Sequence, residues 1–458
     1  MSFIPPRPTA RSKGALLGGL FARDGRSMLN LLPEKVYTLQ MGVTRIARFA
    51  LFIVNAPQTV RDVLVARTGD FPKHHYLADI LKPLIGYSLF NANGPAWEQQ
   101  RRLVDQAFVQ AGLRRAFPVM QSAITALLER TDAAAASGRT PWDADAEMSH
   151  VTADIIFRTI LSQPLDAAQA RQVHASFRDY QANAQRVMGL SALRLPTFFH
   201  RWRCRRLGAA IRQPFADRIR ERHRAAGRGE TGLPDDMLAT LMAARDPDTG
   251  ATLSEDDIID QVGTLFLAGH ETSASTLCWA LYLLACQPDL QDEVRHEIAA
   301  AWGDRPPDYG DTRQLSLTHD VFRETLRLYP PIAFYVREAA HAGCLRDKPV
   351  AAGDMVAVSP WVVHRHQQLW DRPHEFDPKR FCTDAGLASA RTAYLPFGLG
   401  PRGCPGAAFA TQESLLILAQ LVRRYRIEPV AGHVPRPTAR LSLRSANGMR
   451  LKLVRLDG

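Results

Sequence analysis

The stretch from Ser254 to Pro288 constrains the fold more than any other part of the chain. Its helical periodicity runs from Glu255 to about Gln287, Ser254 and Asp257 are spaced as a capping box at its start, and Pro288 stops it. At about 1.5 Å of rise per residue, a helix this long spans the interior of a domain and can offer one face to a buried cofactor. The rest of the chain is then expected to pack around it.

Helical periodicity recurs from Ala96 to about Arg130, Met148 to Ser162, Ala167 to Leu190, Leu207 to Ala226, Asp289 to Ala301 and Leu317 to Leu328, where Pro330-Pro331 follows. A helix is also expected from Ala56-Pro57 to about Arg67. Alternating segments at Phe334 to Ala339, Lys348 to Val350 and Asp354 to Val358 predict strands, with others at Val36 to Leu39, Ala50 to Val54 and within Ile427 to Leu453. Asp371 to Arg391 is rich in turn residues and reads as ordered but irregular; Ala407 to Arg424 is helical again. With no linker or repeat in view, the expected organisation is an N-terminal extension, 1–35, on or near the core, followed by a single domain, 36–458. The class is mainly α with small β sheets.

At 458 residues and 46% hydrophobic composition, the chain can bury a large core. Its formal charge of +11 favours acidic protein partners, but the arginines are scattered through periodic segments, which argues against nucleic acid. The six cysteines (Cys204, Cys278, Cys286, Cys344, Cys382 and Cys404) form no CxxC pair and no zinc-ligand spacing, so a reducing compartment is expected. Apolar runs such as Phe49 to Val54 are too short to cross a membrane, and residues 1–27 make no convincing signal sequence despite an apolar patch at Ala15 to Phe21. These features predict a soluble, cytoplasmic protein without a transmembrane anchor, and a monomer.

The chemistry concentrates at Phe397-Gly398-Leu399-Gly400-Pro401-Arg402-Gly403-Cys404-Pro405-Gly406. Here a single cysteine sits in a glycine-rich loop just ahead of a helix. Gly400, Gly403 and Gly406 allow close backbone approach or unusual φ, and the following helix N-terminus favours a thiolate. A buried cysteine in a tight turn is the plain alternative. A thiolate so placed can also ligate haem iron and favour O–O cleavage in bound O2.

With Phe397, Gly400, Arg402, Cys404 and Gly406, the segment resembles the FxxGxRxCxG signature of the cytochrome P450 haem-thiolate monooxygenases. The resemblance extends in order from about Val36 to Leu456 and implies the family's triangular helical prism with small sheets at its edge. It implies haem b with Cys404 as axial ligand, Phe397 packed near it and Arg402 at a propionate. Glu324 and Arg327, three apart on one helix face, resemble the family's ExxR motif. With Arg380, in a segment where Lys379 replaces the commoner glutamate, they are implied to form a buried network bracing the cysteine loop.

Ala268-Gly269-His270-Glu271-Thr272 resembles the family's oxygen-activation motif. It implies that Ala268 lies over the cofactor face, while Glu271 and Thr272 supply protons to O2. His270, weighed as an alternative iron ligand, is set aside for Cys404; its ring is equally compatible with an outer polar face. Trp97 and Arg101 resemble the family's WxxxR pair, and Arg337 stands at the distance of another propionate contact. Leu81, Leu84, Leu89, Phe266, Ile332 and Phe334 are the apolar inventory of an implied substrate pocket, although each is compatible with ordinary core.

The activity implied is insertion of one oxygen atom from O2 into a hydrophobic organic substrate, most simply C–H hydroxylation of a fatty-acid-like or terpenoid compound. Electrons are expected from a separate ferredoxin or flavodoxin and its NAD(P)H-dependent reductase. A peroxide-dependent hydroxylase and a noncatalytic haem sensor are the alternatives.

Overall fold

A computed structural model describes residues 3–8, 27–46, 49–136, 141–192 and 195–456. The chain divides into two compact units, one of Met1–Pro72, Ile124–Met148 and Thr272–Gly458, the other of Lys73–Ala123 and Ser149–Glu271. Helices dominate and the sheets are small, so the mainly α class holds. Among the described residues no helix is long and apolar enough to cross a membrane. The apolar patch Ala15 to Phe21 lies outside the described residues.

The first unit contains a four-stranded sheet. Strands β1 (Met41–Ile46) and β2 (Phe49–Val54) pair antiparallel, and β3 (Tyr335–Glu338) pairs antiparallel with β4 (Met355–Val358). The parallel pairing of β2 with β4, Leu51 opposite Met355, joins the two halves in the order β1-β2-β4-β3. Phe52, Val54, Val356 and Val358 carry its buried face, on which Val60, Val63 and Leu64 pack. These β-branched and aromatic residues suit a half-buried pleated surface. The unit also holds helices Ser316–Leu328 and Ala407–Arg424, on either side of the cysteine loop in sequence. The segment 3–8 is tied down here: Phe376 N–H donates to Phe3 O at 3.0 Å, and the fully buried Tyr329 hydroxyl donates to Pro6 O at 2.7 Å.

In the second unit, α1 (His75–Ile85), α2 (Gly94–Asp105), α3 (Ala167–Ala192) and α4 (Phe198–Gly227) accompany the first half of the long helix α5 (Glu255–Ala285). A Cβ on Gly208 of α4 would fall 2.3 Å from Pro83 O, so only glycine lets the last turn of α1 come this close. On α5, the Phe266 ring packs at a tilt against Phe215 of α4, centroids 4.6 Å apart, in the unit's aromatic core. The α5 capping box forms, Ser254 N–H donating to Asp257 and Asp257 N–H to Ser254 Oγ. We number the two remaining helices of interest α6 (Ser316–Leu328) and α7 (Ala407–Arg424).

Several elements differ from the sequence reading. Val36-Tyr37 lies in a 3-10 turn rather than a strand, because the Asn55 amide donates to Val36 O and Leu39 O, carbonyls that a ladder would need. The irregular stretch contains a short helix, Asp384–Ala393, capped by Thr383, whose hydroxyl accepts from Gly386 N–H at 3.1 Å. Helix α4 starts at Phe198, well before Leu207, because its first turns carry exposed aromatics and arginines that show no buried periodicity. The helix opened by Pro57 turns to π-type hydrogen bonding over Asp62–Ala66.

Candidate functional site

The cysteine loop takes its shape from two left-handed glycines, Gly398 (φ +77°) and Gly400 (φ +68°). A Cβ on Gly400 would also lie 2.7 Å from Leu64 O. Gly403 and Gly406 keep negative φ, so Gly398 supplies the second unusual turn instead. The loop closes when Cys404 N–H donates to Phe397 O at 2.8 Å and Gly403 N–H to Gly400 O at 2.9 Å. Phe397 and Tyr394 pack on Phe322 and Leu326 of α6 and Leu415 of α7. Gly406 is the N-cap of α7, which puts exposed Cys404 just ahead of the helix's positive end, a setting that favours its thiolate.

Glu324, Arg327 and Arg380 make one buried network in this unit. Arg327 grips Glu324 with two hydrogen bonds, Nε to Oε2 at 2.7 Å and Nη2 to Oε1 at 2.8 Å, and both side chains are fully buried. Arg380 Nε adds a third bond to Glu324 Oε1 at 2.9 Å, and Asp377 N–H a fourth at 3.0 Å. Burial pushes the Glu324 carboxyl up, but Arg327 and Arg380 outweigh it and hold the group below its ordinary range. The remaining donors of Arg327 reach backbone oxygens of His364, Pro373 and Glu375. Lys379 stays outside, paired with exposed Glu293 at 2.8 Å.

His364 links this network to the cysteine loop, a connection that the sequence reading assigned no role. Its Nε2 accepts from Leu395 N–H at 2.9 Å, which leaves Nδ1 as the protonated nitrogen, donating to Arg327 O at 3.1 Å. Burial and the neighbouring Arg327 push its pKa down to about 3, so the ring is neutral. Tyr335 adds a second tie, its hydroxyl reaching Leu395 O at 2.9 Å and Pro396 O at 3.1 Å. The HRH run around His364 is visible in sequence, but nothing in its spacing reveals a bridge between two distant carbonyl and amide groups.

Arg337 is a buried guanidinium with no ion pair among the described residues; its Nη1 donates to Val336 O at 3.1 Å. Burial pushes its pKa down to about 10, a cost that an anionic ligand group would offset. The Tyr335 hydroxyl lies within electrostatic reach of both Cys404 and Arg337. A thiolate donor and a buried cation on one unit fit an anionic, iron-containing ring such as haem. Arg402, in the turn Gly400–Arg402, is half-buried.

On α5, Phe266, His270 and Glu271 are buried while Ala268 is exposed and Thr272 half-buried one turn on. Ala268 therefore presents only a methyl group at the most exposed point in the middle of α5. The Glu271 carboxylate accepts from Gln181 Nε2 of α3 at 3.0 Å, and His270 Nε2 stands 3.9 Å from its other oxygen. His270 is turned inward rather than onto an outer polar face: Nδ1 is 2.8 Å from Phe266 O, and the ring stacks on Phe266 at 4.7 Å. Thr272 O accepts from the Thr276 hydroxyl at 2.9 Å. Gln181 is a second residue beyond the reach of sequence reasoning, because its contact depends on how α3 packs on α5.

Trp97 and Arg101 share one face of α2, with Arg101 Nε bonded to Asp105 at 2.7 Å. Leu81, Leu84 and Leu89 are buried in the same unit, and Leu89 N–H donates to Gln261 of α5 at 3.1 Å. Ile332 and Phe334 are half-buried in the other unit, just before β3.

A family model described as Cytochrome P450 matches residues 28–452. Among curated relatives, cyclooctatin synthase of Streptomyces melanosporofaciens is 32% identical, over 95% of this chain and 94% of that protein. Cyclooctat-9-en-7-ol 5-monooxygenase of the same organism is 32% identical over 93% of this chain and 92% of its own length. Pentalenene oxygenase of Streptomyces avermitilis is also 32% identical, over 89% of each chain.

Proposed function

Because this chain belongs to the cytochrome P450 family and is a monooxygenase of that family, we propose that its substrate is a terpenoid and its reaction a C–H hydroxylation. The observation that carries this reading is near-full-length similarity to two oxygenases named for cyclooctat-9-en-7-ol and pentalenene, carbon skeletons with an alkene. The family holds haem through a cysteine thiolate and uses O2. When bound, haem supplies O2 activation and oxygen-atom transfer; the chain supplies ligation, proton entry and substrate placement.

In this reading Cys404 would supply the thiolate that ligates haem iron, its loop held by Phe397, Gly406 and the α7 N-terminus. Arg337 and Arg402 in the first unit, and Trp97 and Arg101 in the second, are each residues that would offer donors to a propionate, and Ala268 would leave room for the ring. Thr272 would orient a proton donor and Glu271 would supply protons, with Gln181 holding the Glu271 carboxylate. Leu81, Leu84, Leu89 and Phe266 in the second unit, and Ile332 and Phe334 in the first, are the apolar side chains assigned to substrate contact. The haem domain runs over 36–458 as a monomer, and residues 3–8 of the N-terminal extension pack on its first unit. Electrons come from a separate ferredoxin or flavodoxin served by an NAD(P)H-dependent reductase, in the cytoplasm.

The test has three arms. The reduced carbon-monoxide complex should show the band characteristic of thiolate ligation, and its absence from a haem-loaded protein overturns the role of Cys404. Ferric protein titrated with cyclic terpenes and with fatty acids should change spin state with the former; a response to fatty acids alone overturns the substrate class. Turnover with O2 and a reduced ferredoxin should yield a hydroxylated product, whereas product from peroxide alone, or none from either, supports the peroxide-dependent or the sensor reading.

A further inference from the structure

Glu271 meets two side chains that bear on how it holds a proton, and one of them, His270, has no part in the reading above. The His270 ring is buried, stacked on Phe266 with centroids 4.7 Å apart and met edge-on by Phe177 of α3 at 5.8 Å. Its Nδ1 lies 2.8 Å from Phe266 O. A carbonyl oxygen can only accept, so Nδ1 carries a hydrogen whether the ring is neutral or charged. Nε2 is therefore the nitrogen that gains or loses a proton, and it stands 3.9 Å from Glu271 Oε2. The other carboxylate oxygen, Oε1, accepts from Gln181 Nε2 at 3.0 Å, an amide that donates at any pH.

This geometry makes the two residues one titrating unit. With Nε2 and Oε2 both bare, a lone pair faces a carboxylate oxygen and the approach is repulsive; a proton on either atom makes it attractive. One proton between them leaves the pair neutral overall, as imidazolium with carboxylate or as imidazole with carboxylic acid, and that is the state burial favours. Uncharged side chains meet the pair: Gln181 and Phe177 from α3, and Phe215 of α4 behind Phe266. From the helix Ala144–Leu161, the Thr152 hydroxyl donates to His270 O at 3.0 Å. Buried Asp154 of that helix is taken up by Arg158 at 2.9 Å and by Leu165 N–H at 2.7 Å, and Arg218 of α4 stands over the Phe157 ring. On α3, half-buried His174 shares a face with Phe177 and Gln181, with exposed Arg178 at its edge.

We propose that His270 is a positioning residue for the reaction, sharing one proton with Glu271 so that this acid stays supplied to higher pH than it would alone. The transfer balances simply. The Nε2–H bond breaks as the Oε2–H bond forms, both charges vanish, and solvent water returns a proton to the ring once Glu271 has given its own away. The proposal rests on the reading of Glu271 as the proton-supplying acid, and adds where that proton is kept.

Two substitutions separate the ring nitrogens. In His270→Asn the amide can still donate to Phe266 O as Nδ1 does, but nothing is left to hold a proton for Glu271. His270→Gln places an amide donor where Nε2 was, restoring the contact without a titrating group. Haem-loaded protein carrying isotope-labelled histidine is followed by nitrogen NMR as its ferrous carbon-monoxide complex. One ring, identified by its loss in H270N, should keep Nδ1 protonated while Nε2 titrates, and Glu271→Gln should move that midpoint down by about one pH unit or more. In turnover with O2 and a reduced ferredoxin, product per electron pair should begin to fall at lower pH in H270N than in wild type. The loss should stay below the roughly hundredfold expected of Glu271→Gln. H270Q should keep the shifted profile of H270N, and His174→Asn should leave the wild-type profile in place. The proposal is overturned if the ring titration ignores Glu271→Gln, if H270N keeps the wild-type profile, or if H270Q restores it. Product formation unaffected by Glu271→Gln overturns the reading of Glu271 itself, and the role given to His270 with it; the NMR titration, which needs no turnover, tells the two failures apart.

Discussion

Glu324 carries a fully buried charge with four hydrogen bonds, so removing any partner strands it. Arg327→Ala is expected to lower the unfolding free energy by about 3–5 kcal/mol, read by urea denaturation, with haem content falling alongside. Because the folded carboxyl titrates below its unfolded value, this contribution is full above the unfolded pKa and disappears as pH falls through the folded one. Glu413 of α7 behaves in the opposite sense. Burial pushes it up to about 8, the nearby Ser273 hydroxyl offsetting only part of this, and both Glu413 Oε1 and Ser273 Oγ lack a hydrogen-bond partner among the described residues. The folded state therefore holds this proton more tightly than the unfolded state. Stability should decline as pH rises from the ordinary carboxylate range toward about 8 and level off above it. Glu413→Gln should flatten that decline, as measured by urea midpoints at acidic and alkaline pH.

Among elements, α5 is the most legible, because a capping box, sustained periodicity and a terminal proline all report local geometry. The spacing of Glu324 and Arg327 is equally visible, but their full burial is not, since it arises from backbone oxygens near His364, Pro373 and Glu375 closing around them. The same limit hides His364 and Gln181, whose partners are fixed by tertiary packing. It also hides α1, with Pro83 in its last turn, and the first turns of α4. The α3 to α5 contact offers a direct test. Gln181→Leu removes the hydrogen bond that orients Glu271, so product formed per electron pair should fall while haem binding is kept. Glu271→Gln should slow product formation by about a hundredfold if protons pass through this carboxylate; NADPH consumption compared with product settles both.

At the scale of the whole molecule, the N-terminal segment 3–8 is part of the first unit's structure. Its removal leaves the fully buried Tyr329 hydroxyl and the Phe376 amide without their acceptors. Unfolding free energy should fall by about 1–3 kcal/mol per orphaned group, read from the urea midpoint of a chain lacking residues 1–8. The sheet of this unit carries a consequence for biosynthesis. Strand β2 finds its parallel partner, and Ala50 its hydrogen bond to Asp354, only 304 residues later in the chain. At ordinary synthesis rates roughly 15–60 s separate the two strands leaving the ribosome. Throughout that interval β2 lacks its parallel partner, and the cysteine loop, later still in sequence, has yet to emerge. A cofactor that needs Cys404 can thus be captured only after this loop has been made, long after β2 has left the ribosome.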